Sequence, residues 1–135
     1  MLFKEIAMPL SWNKLLFDKA REVDITIFSS PFDELSVDLL EDLNTPAYKI
    51  ASFEMTDLPL IQYAAETGKP LVVSTGLASY DEIAETVATI RDTGNDKIIL
   101  LHCVSGYPSP PQDANLATIS DLATSFDLLT GLSDH

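Results

Sequence analysis

The chain has 135 residues, enough for one domain with a sizeable core, and its 46% hydrophobic content is ordinary for a globular protein. Twenty-one acidic residues against eight basic ones give a formal net charge of −13. That balance excludes the basic stripe of a nucleic-acid face and argues against an anionic membrane surface, while allowing one locally positive pocket for an anion. No apolar run approaches the roughly 20 residues of a membrane span, and the start, Met-Leu-Phe-Lys-Glu-Ile, lacks a signal-peptide layout. The single cysteine, Cys103, rules out an intrachain disulfide and fits a reducing, cytoplasmic setting.

Residues 1–11 carry no clear pattern, and Pro9 argues against a helix across them. Residues 12–23 predict a helix, with Ser11 as N-cap and Leu15, Leu16, Ala20 and Val23 at helical spacing. Trp12 and the leucine-rich helix faces read as core. Residues 25–28, Ile-Thr-Ile-Phe, read as a strand ending in Ser29, Ser30 and Pro31. Asp33 caps a second predicted helix with Leu35, Val37, Leu39, Leu40 and Leu43 as its apolar positions; Asn44-Thr-Pro46 ends it.

Residues 47–51 predict the next strand. Thr56-Asp57-Leu-Pro59 opens a helix that runs to about Thr67, with Gly68 just past its end. Residues 70–74 are a third strand, and Thr75-Gly76 turns out of it. Ser79-Tyr-Asp-Glu82 is a capping box for a long helix to Asp92. Residues 98–101 are a fourth strand, ending in His102 and Cys103. The proline-rich stretch from Tyr107 to Pro111 excludes regular helix and central strand. Residues 114–126 read as a helix, and a fifth strand begins at Leu128. The chain stops at Gly131-Leu-Ser-Asp-His135 without a closing helix, which reads as an interrupted unit.

Short apolar strands alternating with helices predict a parallel sheet, either doubly wound or a (β/α)8 barrel. No Gly-x-Gly-x-x-Gly follows a strand, which counts against a dinucleotide-binding sheet. Every strand ends in small polar or ionisable residues: Ser29 and Ser30, Ser52, Ser74 and Thr75, His102, and Ser133 with Asp134 and His135. Ligand groups from successive strands suit a barrel mouth better than a single switch-point crevice. A whole barrel takes about 200 residues or more, so this chain reads as a partial barrel in one domain, residues 1–135.

Within Pro46-Ala-Tyr-Lys-Ile-Ala-Ser-Phe-Glu54, strand alternation puts Tyr48 and Ile50 on one face and Lys49 and Ala51 on the other. If the apolar pair faces the helices, Lys49 faces the interior, where an ammonium is costly unless an anion meets it. The bland alternative is a lysine that snorkels to the rim and pairs with a carboxylate. Hydroxyls at strand ends beside one ammonium are what a phosphate or carboxylate requires. His102 and His135 each fit a metal ligand, a general base or a hydrogen-bonded wall residue. Asp134 fits an orienting partner for His135 or a helix cap. Cys103 reads as a small buried residue.

Together, Phe28-Ser-Ser-Pro-Phe-Asp33, residues 46–54, Gly68-Lys-Pro with Ser74-Thr-Gly76, Leu101-His-Cys103 with Tyr107-Pro108, and Gly131-Leu-Ser-Asp-His135 resemble the sialic acid synthase family in order and spacing across nearly the whole chain. Members of that family condense phosphoenolpyruvate with a 2-acetamido sugar to make nonulosonic acids that serve cell-surface polysaccharides. The resemblance implies an N-terminal (β/α)8 barrel, of which this chain is the middle, and a small C-terminal antifreeze-like domain. It makes Lys49 and Glu54 catalytic candidates, with Lys49 meeting phosphoenolpyruvate. Ser52, Ser74 and Ser133 match phosphate- or carboxylate-binding hydroxyls; Ser30 stands where threonine is common, and Ser105 where some members have asparagine. Glu54 and Tyr107 match positions that approach the sugar. His135 resembles one of two histidines that hold a divalent metal, manganese or magnesium; His102 matches no ligand position.

By the same resemblance an upstream glutamate and second lysine, the second metal histidine and the C-terminal domain lie outside this chain. That domain reaches a partner subunit's barrel in a domain-swapped homodimer, so the chain by itself is expected to be inactive. Trp12, the Ser-Phe-Glu after Lys49 and the Tyr-Pro-Ser-Pro-Pro loop look nearest to the pseudaminic acid synthase branch. Two other readings stand beside this one: an aldolase in which Lys49 forms a Schiff base, and a non-catalytic barrel fragment.

Overall fold

The computed structural model of the protein describes residues 8–135. Helices and strands alternate as α1 (Leu10–Glu22), α2 (Glu34–Asp42), β1 (Tyr48–Ile50), α3 (Leu58–Glu66), β2 (Leu71–Ser74), α4 (Tyr80–Asp92), β3 (Ile98–Cys103), α5 (Ala117–Phe126) and β4 (Leu129–Ser133). The four strands lie side by side in chain order, and each neighbouring pair is parallel. Each is joined to the next through a helix. The order never reverses, so the sheet has no switch point of the doubly wound kind. The fold is α/β, a segment of (β/α)8 barrel with its helices on one side of the sheet.

Register separates the two faces. Tyr48 pairs with Leu71 and Leu71 with Ile98; Ile50 pairs with Val73 and Val73 with Leu100. Residues paired across parallel strands share a face, and all six are buried in the core cluster. Val37 and Leu40 of α2, Ile61 and Ala64 of α3, Val87 and Ile90 of α4, and Leu122 and Phe126 of α5 belong to it as well. Each large aliphatic side chain removed from water there contributes about 1.5–3 kcal/mol. The alternate row, Lys49, Val72 and Ile99, is only partly buried and faces the other, concave side.

Local chemistry sets the starts of α2, α3 and α4 as the sequence predicts. Asp33 accepts from the Ser36 amide at 2.7 Å, and Asp57 from the Leu60 amide at 3.3 Å. Ser79 and Glu82 form a reciprocal capping box at the head of α4. Gly68, at φ +73°, follows α3 in the left-handed conformation that glycine adopts without strain. At the entry to the sheet, the buried Tyr48 hydroxyl donates to Glu41, which is ion-paired with Lys69 at 2.5 Å. Burial, reinforced by that carboxylate, pushes the Tyr48 phenol well above the ordinary tyrosine range.

Some expectations are corrected. Residues 25–28 are not a strand: among the described residues the only pairing on that side is an isolated parallel bridge between Ser29 and Tyr48. In that register residues 25–28 run past the turn that precedes β1, where Pro46 has no amide to pair. In α1 the buried stripe is Asn13, Phe17 and Ala20, while Trp12, Leu15, Leu16 and Val23 are exposed. The helix starts after Pro9 with no side-chain cap, so Ser11 is not its N-cap. Leu35 is likewise exposed. The final helix begins at Ala117 and not at residue 114, because a short 3-10 turn at Pro111–Asp113 and a left-handed Asn115 intervene. Residues 1–7 lie outside the described part. Among the described residues no helix is long and apolar enough to cross a membrane.

Leu100 lies at the centre of the helix-side row, so Leu100→Ala is expected to destabilise the protein by about 2–5 kcal/mol. Ser79→Ala, which removes only the hydroxyl half of the capping box, should cost about 1 kcal/mol. Urea unfolding measures both, and equal losses would contradict the assignment of Leu100 to the core.

Candidate functional site

With Tyr48 and Ile50 locked under the helices, Lys49 points to the concave face. Its Nζ donates to Ser74 Oγ at 2.5 Å and to the Ile50 carbonyl at 3.0 Å. An ammonium has three donors, so one remains for a ligand. Lys49 is half-buried, and burial pushes its ammonium below the ordinary lysine range, with Cys103 and Glu54 opposing the shift. An anion beside Nζ would reverse that penalty. Ser74 is buried at the end of β2; while its oxygen accepts from Lys49, its own proton stays free to donate.

The turn after β2 brings further groups to the same region. At Gly76 an added Cβ would overlap Ser105 Oγ and lie 2.8 Å from Ser52 Oγ and 3.2 Å from Cys103 Sγ. Side chains from beyond β1 and from the end of β3 therefore converge over this glycine. Cys103 is buried, as its sequence reading holds. Ser133 pairs with Cys103 in the β3–β4 register and so extends the row on the same face. Glu54 opens the 3-10 turn Glu54–Thr56, close enough for its charge to act on Lys49.

A second group lies at the far end of the sheet. The Tyr107 and His135 rings pack with centroids 4.4 Å apart, and the Tyr107 hydroxyl is 3.3 Å from His135 Nε2. The loop that carries Tyr107 is tied down: Ser109 donates its amide to the His135 carbonyl at 3.0 Å and its hydroxyl to the Val104 and Gly106 carbonyls. Ser109, Ser133, Asp134 and His135 line one cavity there with Val104 and Leu132.

His102 points the other way from Cys103. It is buried, and its Nε2 lies 2.7 Å from the Ala114 carbonyl, so that nitrogen carries the proton. It is a hydrogen-bonded wall residue, one of the readings its position at a strand end left open. Ser30 lines a separate cavity with Asn13, Phe32 and Ser36, whose lining does not include Lys49. Sequence reasoning gave Gly76 only a turn; its signal was a glycine two residues past a strand end on the ligand side.

The other described cations lie elsewhere. Lys14, Lys19 and Arg21 are on α1, Lys69 and Lys97 precede β2 and β3, and Arg91 is near the end of α4. Lys49 is the one cation carried by a strand among the described residues.

A family model described as the NeuB family matches residues 1–135. The chain is 47% identical over 134 residues to a pseudaminic acid synthase of Helicobacter pylori, covering 99% of this chain and 39% of that protein. It is 36% identical over 136 residues to an N,N'-diacetyllegionaminic acid synthase of Campylobacter jejuni, covering 99% and 41%. The crystal structure of an N-acetylneuraminic acid synthetase from Leptospira borgpetersenii, in complex with citrate, superposes with a TM-score of 0.90 at 33% identity, over 95% of this chain and 45% of that one. The chain thus spans about two fifths of the length of the curated relatives it matches.

The Lys49 ammonium should titrate below the ordinary lysine range, read from the 13C signal of reductively methylated Lys49 across a pH series. Because its folded value lies below its unfolded one, unfolding takes up a proton between the two, and the stability contribution of Lys49 grows as pH rises through that interval. A midpoint at or above the ordinary range would contradict the burial of this side chain.

Proposed function

This chain belongs to the NeuB family, and on that footing we propose that it is the anion-holding part of a nonulosonic acid synthase. The full-length enzyme would condense phosphoenolpyruvate with the aldehyde of a 2-acetamido sugar and release phosphate, with an acceptor of the pseudaminic type. The observation that carries this reading is Lys49 on the concave face, hydrogen-bonded to Ser74 and beside the hydroxyls gathered at Gly76.

In this chemistry the methylene carbon of phosphoenolpyruvate attacks the aldehyde carbon, whose oxygen takes a proton and becomes a hydroxyl. Water adds to the resulting cationic enol carbon, and the tetrahedral adduct collapses by C–O cleavage to a keto group and free phosphate. The reactant carries its phosphate ester and its carboxylate on the same enol carbon. Lys49, Ser52, Ser74, Ser105 and Ser133 hold these anionic groups, which is positioning and electrostatic stabilisation. Ser30 and Ser133 line cavities whose walls do not include Lys49, and they are the outlying members of the proposed set. Glu54 and Tyr107 approach the sugar. The two donors that Lys49 already gives to protein oxygens suit an ammonium held for an anion, and this disfavours the Schiff-base reading.

A divalent cation, manganese or magnesium, belongs to the proposal with His135 as one ligand. Among the described residues no three of His, Cys, Asp and Glu gather as a metal site. His135 is a single exposed imidazole against Tyr107, so these residues offer one ligand and not a site, and no step above runs through the metal. The domain-swapped homodimer and the cytoplasmic setting are proposals of the same standing.

In the full-length enzyme, Lys49→Ala should weaken phosphoenolpyruvate binding by about 2 kcal/mol, a factor of about 30, measured by calorimetry. Borohydride with pyruvate should leave Lys49 unmodified. The same calorimetry on this chain alone should find manganese binding far weaker than in the full-length enzyme, because one imidazole lacks the several fixed ligands that tight binding needs. Unchanged phosphoenolpyruvate affinity in Lys49→Ala would sink the proposal, and a trapped adduct would replace it with the aldolase.

A further inference from the structure

We infer that Gly76 is a positioning residue of the anion cradle: it lacks a side chain so that the Ser52 and Ser105 hydroxyls can meet above its Cα. The inference rests on the reading that this cradle takes phosphoenolpyruvate, and it adds a residue that touches no ligand itself.

Different constraints act on the glycines of this chain. Gly68 and Gly94 have φ of +73° and +84°, and a Cβ there would meet nothing within 4 Å, so backbone conformation alone selects glycine. Gly76 is the reverse case. Its φ is not in the left-handed region, so an L-residue would fit its backbone, yet a Cβ would overlap Ser105 Oγ and crowd Ser52 Oγ and Cys103 Sγ. What selects glycine is the space that two hydroxyls and a thiol already occupy.

The crowding falls on the atoms that matter to binding. A serine hydroxyl moves by one torsion between staggered positions. The response to a Cβ that costs the fold least is therefore rotation of Ser52 and Ser105 away from the shared space. Backbone and core need not move. Substitution should thus spoil the cradle before it spoils the fold. Ser52 follows β1 and Ser105 follows β3, so Gly76 at the end of β2 sets the spacing of hydroxyls from both neighbouring strands.

The test uses the full-length enzyme, steady-state kinetics and thermal unfolding. Gly76→Ala should raise KM for phosphoenolpyruvate about tenfold or more while KM for the sugar stays within about twofold and the unfolding transition stays cooperative. In a Ser105→Gly background, which removes the nearest of the crowding atoms and frees the space into which the Ser52 hydroxyl can turn, adding Gly76→Ala should raise KM for phosphoenolpyruvate by a smaller factor than it does in wild type, less than about threefold. This pair also decides the matter if the single Gly76→Ala variant fails to fold. Normal phosphoenolpyruvate dependence in wild type with no change in Gly76→Ala, or an undiminished effect of Gly76→Ala in the Ser105→Gly background, overturns this inference alone. A wild-type enzyme without phosphoenolpyruvate dependence overturns the proposed function and this inference with it.

Discussion

Three residues of strand β1 constrain the rest. Tyr48 and Ile50 are fully buried beneath the helices, so the intervening Lys49 has to point to the opposite face. A slip of one residue would drive an ammonium into an apolar core and lift two large side chains out of it. That register is held by backbone and side-chain contacts of Tyr48 and Lys49. Ser29 bridges Tyr48, and the Lys49 amide donates to the Ser29 carbonyl at 3.1 Å. The Tyr48 hydroxyl is tied to Glu41, and the Lys49 ammonium to Ser74 on the next strand. The same alternation that builds the core therefore delivers a half-buried cation to the concave side.

Sequential parallel strand order then determines what that cation meets. Because neighbouring parallel strands bring paired residues to one face, β2 and β3 present Ser74 and Cys103 on the side of Lys49, and β4 adds Ser133. The chain is strongly acidic in total, yet this face has a lysine with two neutral oxygen partners and a spare donor. Charge balance over a whole chain says little about one pocket; the local arrangement of donors decides which ligand is favoured.

Most of the fold was legible because its signals are local. Asp33, Asp57 and the Ser79–Glu82 box begin helices where the sequence places them, since capping depends on residues within one turn. Lys49 was legible by period-two alternation. Residues 25–28 were misread because β-branched composition cannot report whether a partner strand is there, and β1 starts too late to supply one. The face of α1 was misread because its leucines and tryptophan outweigh Asn13 in hydrophobicity, although Asn13, Phe17 and Ala20 form the buried stripe. In the candidate site, the role of Gly76 was hidden since convergence of Ser52, Ser105 and Cys103 is a three-dimensional fact with no sequence period. The orientation of His102 was hidden for a related reason: a histidine at a strand end faces either side, and only the Ala114 carbonyl shows which.

On the proposed function, the concave face around Lys49 holds a small anion bearing a phosphate and a carboxylate through its ammonium and the hydroxyls around Gly76. A crystal structure of the full-length enzyme with phosphoenolpyruvate bound tests it most directly. Ligand oxygens are expected within hydrogen-bond distance of Lys49 Nζ and of the Ser52 and Ser105 hydroxyls, with the ligand on the side of the sheet away from the helices. Phosphoenolpyruvate bound elsewhere, with Lys49 still donating only to Ser74 and the Ile50 carbonyl, would contradict it.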